Sequence, residues 1–250
     1  MEVSNIAILG DSWAWGEWSF VGETNMNTHN GTHHYLQQEY HRANIVNFAK
    51  AGGSNLYQLD YIASHVNMYN FKKDFDVVVC FWTDPGRDVL NKIEQDEGNN
   101  LNHFSQEYYT ERCKTTSDIF LNQLNDIGVP VILLGGQVSL PTHTDYTEYE
   151  NLYPVVDRIS NLIDEPFWDS DKMCPIKGTL DNTIDWSALG RVEHLNLLTE
   201  KFKAELDELR ETCDKHLNYT FFPDLGHGGR TLHRLASIKI IDQIGKLNAS

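Results

Sequence analysis

The sequence predicts an α/β fold, a three-layer α/β/α sandwich around a parallel central sheet. Short aliphatic runs alternate with longer stretches whose apolar residues recur every three or four positions, as expected when strands alternate with helices. The 250 residues are 40% hydrophobic and 22% charged, which is enough chain to bury one large core. Right-handed crossovers between parallel strands would place helices on both faces of the sheet.

The pattern predicts five strands and five helices. The strands cover residues 6–9, 45–48, 77–81, 129–134 and 219–222, and the helices cover 33–41, 55–68, 105–127, 194–216 and 230–247. Between about 136 and 190 prolines, aromatic residues and acidic residues interrupt the pattern, as in a lid or binding loop. We therefore expect a single domain over residues 1–250 with an insertion or lid at about 136–190.

The first predicted strand ends abruptly in Gly10, Asp11 and Ser12. Its aliphatic residues suit a strand covered on both faces, and Gly10 permits a sharp exit that would leave Ser12 exposed. Ligands of parallel α/β sheets bind at the carboxyl ends of the strands, so Ser12 is a candidate nucleophile. The same three residue types are also common in ordinary turns.

A second candidate group lies near the other end of the chain, where a glycine-rich loop holds Asp224 and His227 after the run 219–222. A serine nucleophile needs a base to take its proton, and the imidazole needs a carboxylate that fixes its tautomer. Ser12, His227 and Asp224 supply these three groups. A solvated loop with a capping aspartate and a surface histidine is the alternative interpretation.

Together, Gly10-Asp11-Ser12 and Asp224-x-x-His227 resemble the SGNH, or GDSL-type, hydrolase superfamily, and the resemblance spans nearly the whole chain. It implies the flavodoxin-like SGNH hydrolase fold and a serine esterase or acylhydrolase activity. It also implies that Ser12 is the nucleophile, that its own backbone N–H contributes to the oxyanion hole, and that Asp224 and His227 complete the triad. Asp11 belongs to the motif but is not the triad acid.

The second family motif is a glycine after the second strand, which Gly52 matches. A glycine suits an oxyanion donor because no side chain keeps the developing charge away from its N–H. Gly53 remains an alternative, since the register is uncertain by one residue. The two glycines also fit a simple loop before a helix that begins near Asn55, with Ser54 as its N-cap.

The third family motif departs from the pattern, because Thr83 stands where the family has its oxyanion asparagine. Threonine offers one rotatable hydroxyl on a shorter side chain than asparagine. Three outcomes are open: Thr83 donates to the oxyanion, another group such as Asn55 or Arg87 compensates, or the enzyme is slow or retired. Arg87 and Asp88 could pair with one another or hold a substrate group, and we favour the ion pair between them.

Aromatic residues are frequent around the candidate nucleophile. Trp13, Trp15 and Trp18 follow Ser12, and Trp82 ends the neighbouring strand, so we expect an aromatic rim that stacks on sugar rings. The candidate substrate contacts are Trp13, Trp82, Asn55 and Gln137. Packing under the helix layer is the alternative for the tryptophans, and a simple turn is the alternative for Gln137.

Charge and cysteine content narrow the classes of partner and site. The formal net charge of −16 disfavours binding to nucleic acid or anionic membrane. The four cysteines lack metal-binding or disulfide spacing, so neither zinc nor a disulfide framework is predicted. The N-terminus lacks the features of a signal peptide and no stretch has the length of a membrane span, so we expect a cytoplasmic protein without membrane insertion.

The sequence thus predicts an esterase or acetylesterase, with an acylated carbohydrate as the leading substrate class and no cofactor or metal. A different interpretation is a non-catalytic SGNH-like module that kept the fold to bind a glycan or a protein partner. The threonine at position 83 favours that alternative, and the retention of all three triad residue types speaks against it. The oligomeric state is not predicted.

Overall fold

Five parallel strands form the central sheet in the part of the chain that the structure describes. A computed structural model describes residues 3–21, 24–64, 71–89, 106–136, 138–162, 168–169, 174–175 and 229–249. The sheet strands are β1 (Asn5–Leu9), β4 (Asn44–Asn47), β5 (Val77–Trp82), β6 (Val131–Gly135) and β7 (Leu152–Val156). They pair in the order β4-β1-β5-β6-β7, and every pairing is parallel. The predicted α/β class with a parallel central sheet is confirmed.

Helices and small antiparallel elements surround this sheet. The helices are α1 (Ser12–Trp15), α2 (Gly31–Glu39), α3 (Asn55–Ser64), α4 (Phe71–Asp74), α5 (Gln106–Asp126) and α6 (Arg230–Ala249). A hairpin of β2 (Glu17–Val21) and β3 (Thr24–His29) follows α1, and β8 (Trp168–Asp169) pairs with β9 (Cys174–Pro175). Two 3-10 helices, Tyr146–Glu148 and Ile159–Leu162, flank β7. None of the helices in the described ranges has the length and hydropathy needed to cross a bilayer.

Alternating strand residues supply two separate cores. On one face Ile6 and Ile8 pack with α2 and with the α6 residues Leu232 and Ile240. On the other face Ala7 and Leu9 belong to a cluster that includes Phe120 of α5. Strand side chains alternate between the two faces of a sheet, so a central strand covered on both sides must be apolar throughout. All six residues of β5 are accordingly buried.

Four predicted strands and four predicted helices are found close to their expected positions. The hairpin β2–β3 was not predicted, and neither was β7, which lies inside the segment interpreted as an insertion. β7 has Pro154 at its centre, which argues against a strand in the sequence, and prolines and acidic residues surround it. The predicted strand 219–222 and helix 194–216 lie outside the described residues.

The strand order places a crevice beside β1. The chain leaves β1 for β4 on one side and then crosses to β5 on the other side, which makes the carboxyl ends of β1 and β5 a topological switch point. Two connections that leave neighbouring strands in opposite directions open a crevice there, where ligands of such sheets bind. Ser12 directly follows β1 and Thr83 directly follows β5, so the fold brings both candidate residues to this point.

Candidate active site

The turn that carries Ser12 depends on Gly10. Gly10 has a φ of +147°, and a Cβ built on it would overlap the Ala14 Cβ and lie 2.8 Å from the Phe81 Cβ. Only a residue without a side chain fits both this backbone conformation and this space. The chain then enters α1, where the Asp11 carboxylate accepts a hydrogen bond from the Trp13 N–H at 2.9 Å. Gly10 thus shapes the turn, and Asp11 caps the helix that begins at Ser12.

Asp11 also joins the first and third motifs. Its Oδ2 accepts hydrogen bonds from the Thr83 hydroxyl at 2.6 Å and from Arg87 Nη1 at 2.7 Å. The Asp11 side chain is 1% exposed and that of Arg87 is 30% exposed. A carboxylate this buried is stable only when its oxygens are hydrogen-bonded and its charge is paired. Asp11 therefore serves as a structural anchor, and the predicted Arg87–Asp88 ion pair is wrong.

Asp88 instead holds the start of α3. Its Oδ1 accepts a hydrogen bond from the Leu56 N–H at 3.2 Å. Burial raises the pKa of the Asp88 carboxyl, although hydrogen bonds from Ser54 and from the first backbone N–H groups of α3 act in the opposite direction. A carboxylate at this end of a helix satisfies N–H groups that have no partner within the helix. The helix is thereby fixed to the segment that follows Thr83.

The Thr83 hydroxyl is directed at Asp11, and the residue is fully buried. The Asn55 side chain is also occupied, because its Nδ2 donates to the Thr83 carbonyl at 2.8 Å and its Oδ1 accepts from the Thr83 N–H at 3.0 Å. Of the three side chains considered as oxyanion donors, Thr83 and Asn55 are thus engaged with protein groups, and Arg87 is paired with Asp11.

The two candidate glycines of the second motif differ in structure. The Gly53 N–H donates to the Lys50 carbonyl at 2.9 Å, which closes a tight turn. Gly52 lies within this turn with a φ of +71°, is exposed, and has open space where a side chain would lie. The Lys50 N–H in turn donates to the Gly10 carbonyl at 3.1 Å, so the glycine turn lies against the serine turn. The Gly53 N–H is therefore already hydrogen-bonded within the turn.

Ser12 itself is only 7% exposed, so the expectation of an exposed serine is wrong. The hairpin that follows α1 explains part of this burial. The Trp18 indole N–H of β2 donates to the Ser12 carbonyl at 2.8 Å, which holds the hairpin against the serine turn. The hairpin was not predicted, because β2 is short and β3 is mostly polar.

The tryptophans divide into buried and exposed members. Trp13 is 2% exposed and belongs to one core, and Trp82 is 1% exposed and packs on Phe120 in the other, with ring centroids 5.5 Å apart. Trp15 is 41% exposed and makes an edge-on contact with Trp18 at 5.7 Å. Among the described residues, the expected aromatic rim therefore reduces to Trp15 and Trp18.

Three candidate residues, Asp224, His227 and Gln137, lie outside the described residues. Sequence reasoning missed one residue at the switch point, Gln58, which binds the peptide groups of Gly10. Asn55 and Gln58 are three positions apart and so share one face of α3. The signal that could have identified Gln58 is this pair of carboxamides on the face of a predicted helix that packs on the sheet.

The Thr83 hydroxyl provides a direct test of this network. We expect Thr83→Val to lower the free energy of unfolding by about 1.5–3 kcal/mol, since it removes a hydrogen bond to a buried carboxylate without changing the side-chain shape. Thr115→Val is the matched control, because the Thr115 hydroxyl bonds only the exposed Glu111 carbonyl of its own helix. Urea unfolding measures both variants, and equal midpoints would contradict the assigned hydrogen bond.

Comparison with known proteins gives matches to solved structures. No family model and no curated protein matches this chain. A lipase from a goat rumen metagenome is similar over 96% of each chain, with 13% identity and a TM-score of 0.46. A lipase/acylhydrolase from Enterococcus faecalis covers 96% of this chain and 95% of its own, with 15% identity and a TM-score of 0.39. An acetylxylan esterase from Geobacillus stearothermophilus covers 98% of this chain and 97% of its own, with 11% identity and a TM-score of 0.39. TM-scores this low carry no inference about the chemistry of this chain.

Proposed function

We propose that this protein is a serine-dependent ester hydrolase of the SGNH, or GDSL, type, with Ser12 as nucleophile, His227 as base and Asp224 as the triad acid. The observation that carries the proposal is the position of Ser12. It begins the helix that follows β1, at the switch point of a parallel sheet, and the Gly52 turn and Thr83 lie against the same turn. This is where doubly wound sheets bind their ligands.

The proposed reaction has two steps. His227 takes the proton of the Ser12 hydroxyl as the oxygen attacks the ester carbonyl, and the tetrahedral intermediate expels the alcohol, which receives that proton. Water then attacks the acyl-enzyme with His227 again as base, and the acid leaves as Ser12 regains its proton. The scheme needs no cofactor or metal.

Two backbone N–H groups, those of Ser12 and Gly52, hold the oxyanion in this scheme. The structure supports Gly52 over Gly53, whose N–H already donates to Lys50. The Thr83 hydroxyl donates to Asp11, so we do not assign it to the oxyanion. Loss of one oxyanion donor costs about 100- to 1,000-fold in rate, and we therefore expect slow turnover.

The proposed substrate is an acylated carbohydrate with a small acyl group such as acetyl. Ser12 is 7% exposed, and such restricted access favours a short acyl chain over a long one. Trp15, in the same helical turn, is 41% exposed and offers an aromatic face to a sugar ring, a role that the buried Trp13 and Trp82 cannot take without leaving the core. The net charge of −16 favours a neutral or cationic substrate.

A second candidate function is a non-catalytic module that binds a glycan or a protein partner. One observation favours it: the residue at the family's oxyanion asparagine position is a threonine whose hydroxyl is occupied by Asp11. Such a module would keep the fold and the crevice without a working oxyanion hole.

Labelling with a fluorophosphonate separates the two candidates. For a serine hydrolase we expect covalent labelling that maps to Ser12, together with hydrolysis of p-nitrophenyl acetate in preference to p-nitrophenyl decanoate. An acetylated xylo-oligosaccharide then tests the carbohydrate assignment. Absence of labelling and of hydrolysis would overturn the enzymatic proposal in favour of the binding module, and preference for the decanoate would overturn the short-acyl assignment.

A further inference from the structure

Two side-chain carboxamides of α3 bind the peptide groups that follow the central strands. Gln58 Oε1 accepts a hydrogen bond from the Gly10 N–H at 2.6 Å, and Gln58 Nε2 donates to the Gly10 carbonyl. Asn55 makes the corresponding pair of hydrogen bonds with the N–H and carbonyl of Thr83. Gly10 is the first residue beyond β1, and Thr83 is the first beyond β5. One helix therefore holds the ends of two neighbouring strands.

This arrangement satisfies groups that have left the strand ladder. The last paired residues of β1 and β5 are Leu9 and Cys80, beyond which the two strands no longer pair. A carboxamide carries one acceptor oxygen and an N–H donor, so it replaces a neighbouring peptide group. Gln58 is 4% exposed and Asn55 is 2% exposed, so water cannot take over these hydrogen bonds. Without the amides, the Gly10 N–H and the Thr83 N–H and carbonyl would lose these hydrogen bonds, whereas the Gly10 carbonyl would keep the one from the Lys50 N–H.

The same helix is fixed in return by the third motif. The Asp88 carboxylate accepts a hydrogen bond from the Leu56 N–H, and Asn55 holds Thr83, five residues before Asp88. The Thr83 hydroxyl then reaches Asp11, the residue between Gly10 and Ser12. The contacts form a closed circuit from Gly10 through α3 and Thr83 back to Asp11, and Ser12 is the next residue along the chain.

We propose that Gln58 and Asn55 are positioning residues that set the location of the Ser12 turn relative to the Thr83 turn. The inference rests on the proposed function, since position matters to a nucleophile. A displacement of about 1 Å in a catalytic group can cost about 100-fold in rate. Gln58 acts on the backbone two residues before Ser12 and touches no reacting atom, so its loss should lower kcat and leave KM nearly unchanged.

The first test compares Gln58→Leu with Gln37→Leu. Gln37 Nε2 also donates to two backbone carbonyls, those of Tyr40 and Ala43, but these lie before the amino end of β4, at the opposite end of the parallel strands from Ser12. We expect Gln58→Leu to lower kcat for p-nitrophenyl acetate about 100-fold with KM within about threefold, and Gln37→Leu to leave kcat within about threefold. Equal losses of kcat in the two variants would overturn the proposal.

The second test uses pH to restore the missing donor. In Gln58→Glu a carboxylate can accept from the Gly10 N–H but cannot donate to the Gly10 carbonyl, whereas the protonated acid does both. Burial keeps a carboxyl protonated to higher pH than in water. We expect kcat/KM of Gln58→Glu, divided by that of the unmodified protein at the same pH, to rise as pH falls, with no such rise for Gln37→Glu. A flat ratio for Gln58→Glu would overturn the positioning role.

Amide hydrogen exchange tests the inference independently of turnover. We expect Gln58→Leu to accelerate exchange of the Gly10 N–H at least about 10-fold with little effect on the Thr83 N–H, and Asn55→Leu to do the reverse. If the unmodified protein neither hydrolyses esters nor labels at Ser12, the proposed function fails, and this exchange pattern still decides the positioning of the two turns. Unchanged exchange of Gly10 in Gln58→Leu would contradict the inference in either case.

Discussion

Ser12→Ala is expected to remove ester hydrolysis and fluorophosphonate labelling together. Loss of the nucleophile in a serine hydrolase lowers kcat by about 10⁶-fold, because the base and acid have nothing left to activate. The change deletes one oxygen from a side chain that is 7% exposed, so we expect the backbone of the turn, held by Gly10 and Asp11, to stay in place. The measurement is kcat/KM for p-nitrophenyl acetate, with urea unfolding as a check on the fold.

Ser237→Ala is the matched control for this variant. Ser237 is also buried, but its hydroxyl donates to the His233 carbonyl within α6. We expect Ser237→Ala to retain hydrolysis and labelling. Hydrolysis by Ser12→Ala at more than a few per cent of the unmodified rate would remove Ser12 from the proposed mechanism.

Gly10→Ala is expected to cause the largest loss of stability, about 3–5 kcal/mol. The new Cβ would overlap the Ala14 Cβ and lie 2.8 Å from the Phe81 Cβ, and the φ of +147° is strained for any residue with a side chain. Neither neighbour can move easily, because Ala14 and Phe81 are both in the buried core. Chemical unfolding measures the loss directly, and poor soluble expression is the expected outcome in cells.

Gly245→Ala is the control for this change. Gly245 lies within α6, and a Cβ there meets nothing within 4 Å. Alanine is favoured over glycine inside a helix by about 0.5–1 kcal/mol, so this variant should be slightly more stable than the unmodified protein. An unfolding midpoint of Gly10→Ala equal to that of Gly245→Ala would show that the turn tolerates a side chain.

The sheet strands were predictable where burial on both faces forces a continuous apolar run. β1 and β5 are of this kind, and their residues are almost all buried. β7 has Pro154 at its centre, and a proline within a short apolar run argues against a strand. Outside the sheet, α6 was expected from its apolar spacing, whereas the hairpin that contacts the Ser12 turn was not predicted.

The sequence indicated which residues lie at the switch point, but not which groups their side chains contact. As predicted, Gly10 and Ser12 directly follow the carboxyl end of β1. Arg87 has a carboxylate beside it in sequence, Asp88, yet it pairs with Asp11, 76 residues away. Trp82 ends its strand as expected, but the direction of its side chain into a core depends on which face of the sheet it occupies. Such choices are made by tertiary packing, which a local pattern does not contain.

The Asp11 carboxylate gathers groups that are far apart in the chain. Its partners Thr83 and Arg87 are 72 and 76 residues away in sequence. The neighbouring Gly10 N–H donates to Gln58, which is 48 residues away. During synthesis the serine turn can therefore not reach its final form until position 87 has left the ribosome and β5 has paired with β1. Contacts between residues so far apart in sequence form late in folding, because bringing the two segments together costs loop-closure entropy. The turn that carries Ser12, although made among the first dozen residues, is completed only after about a third of the polypeptide exists.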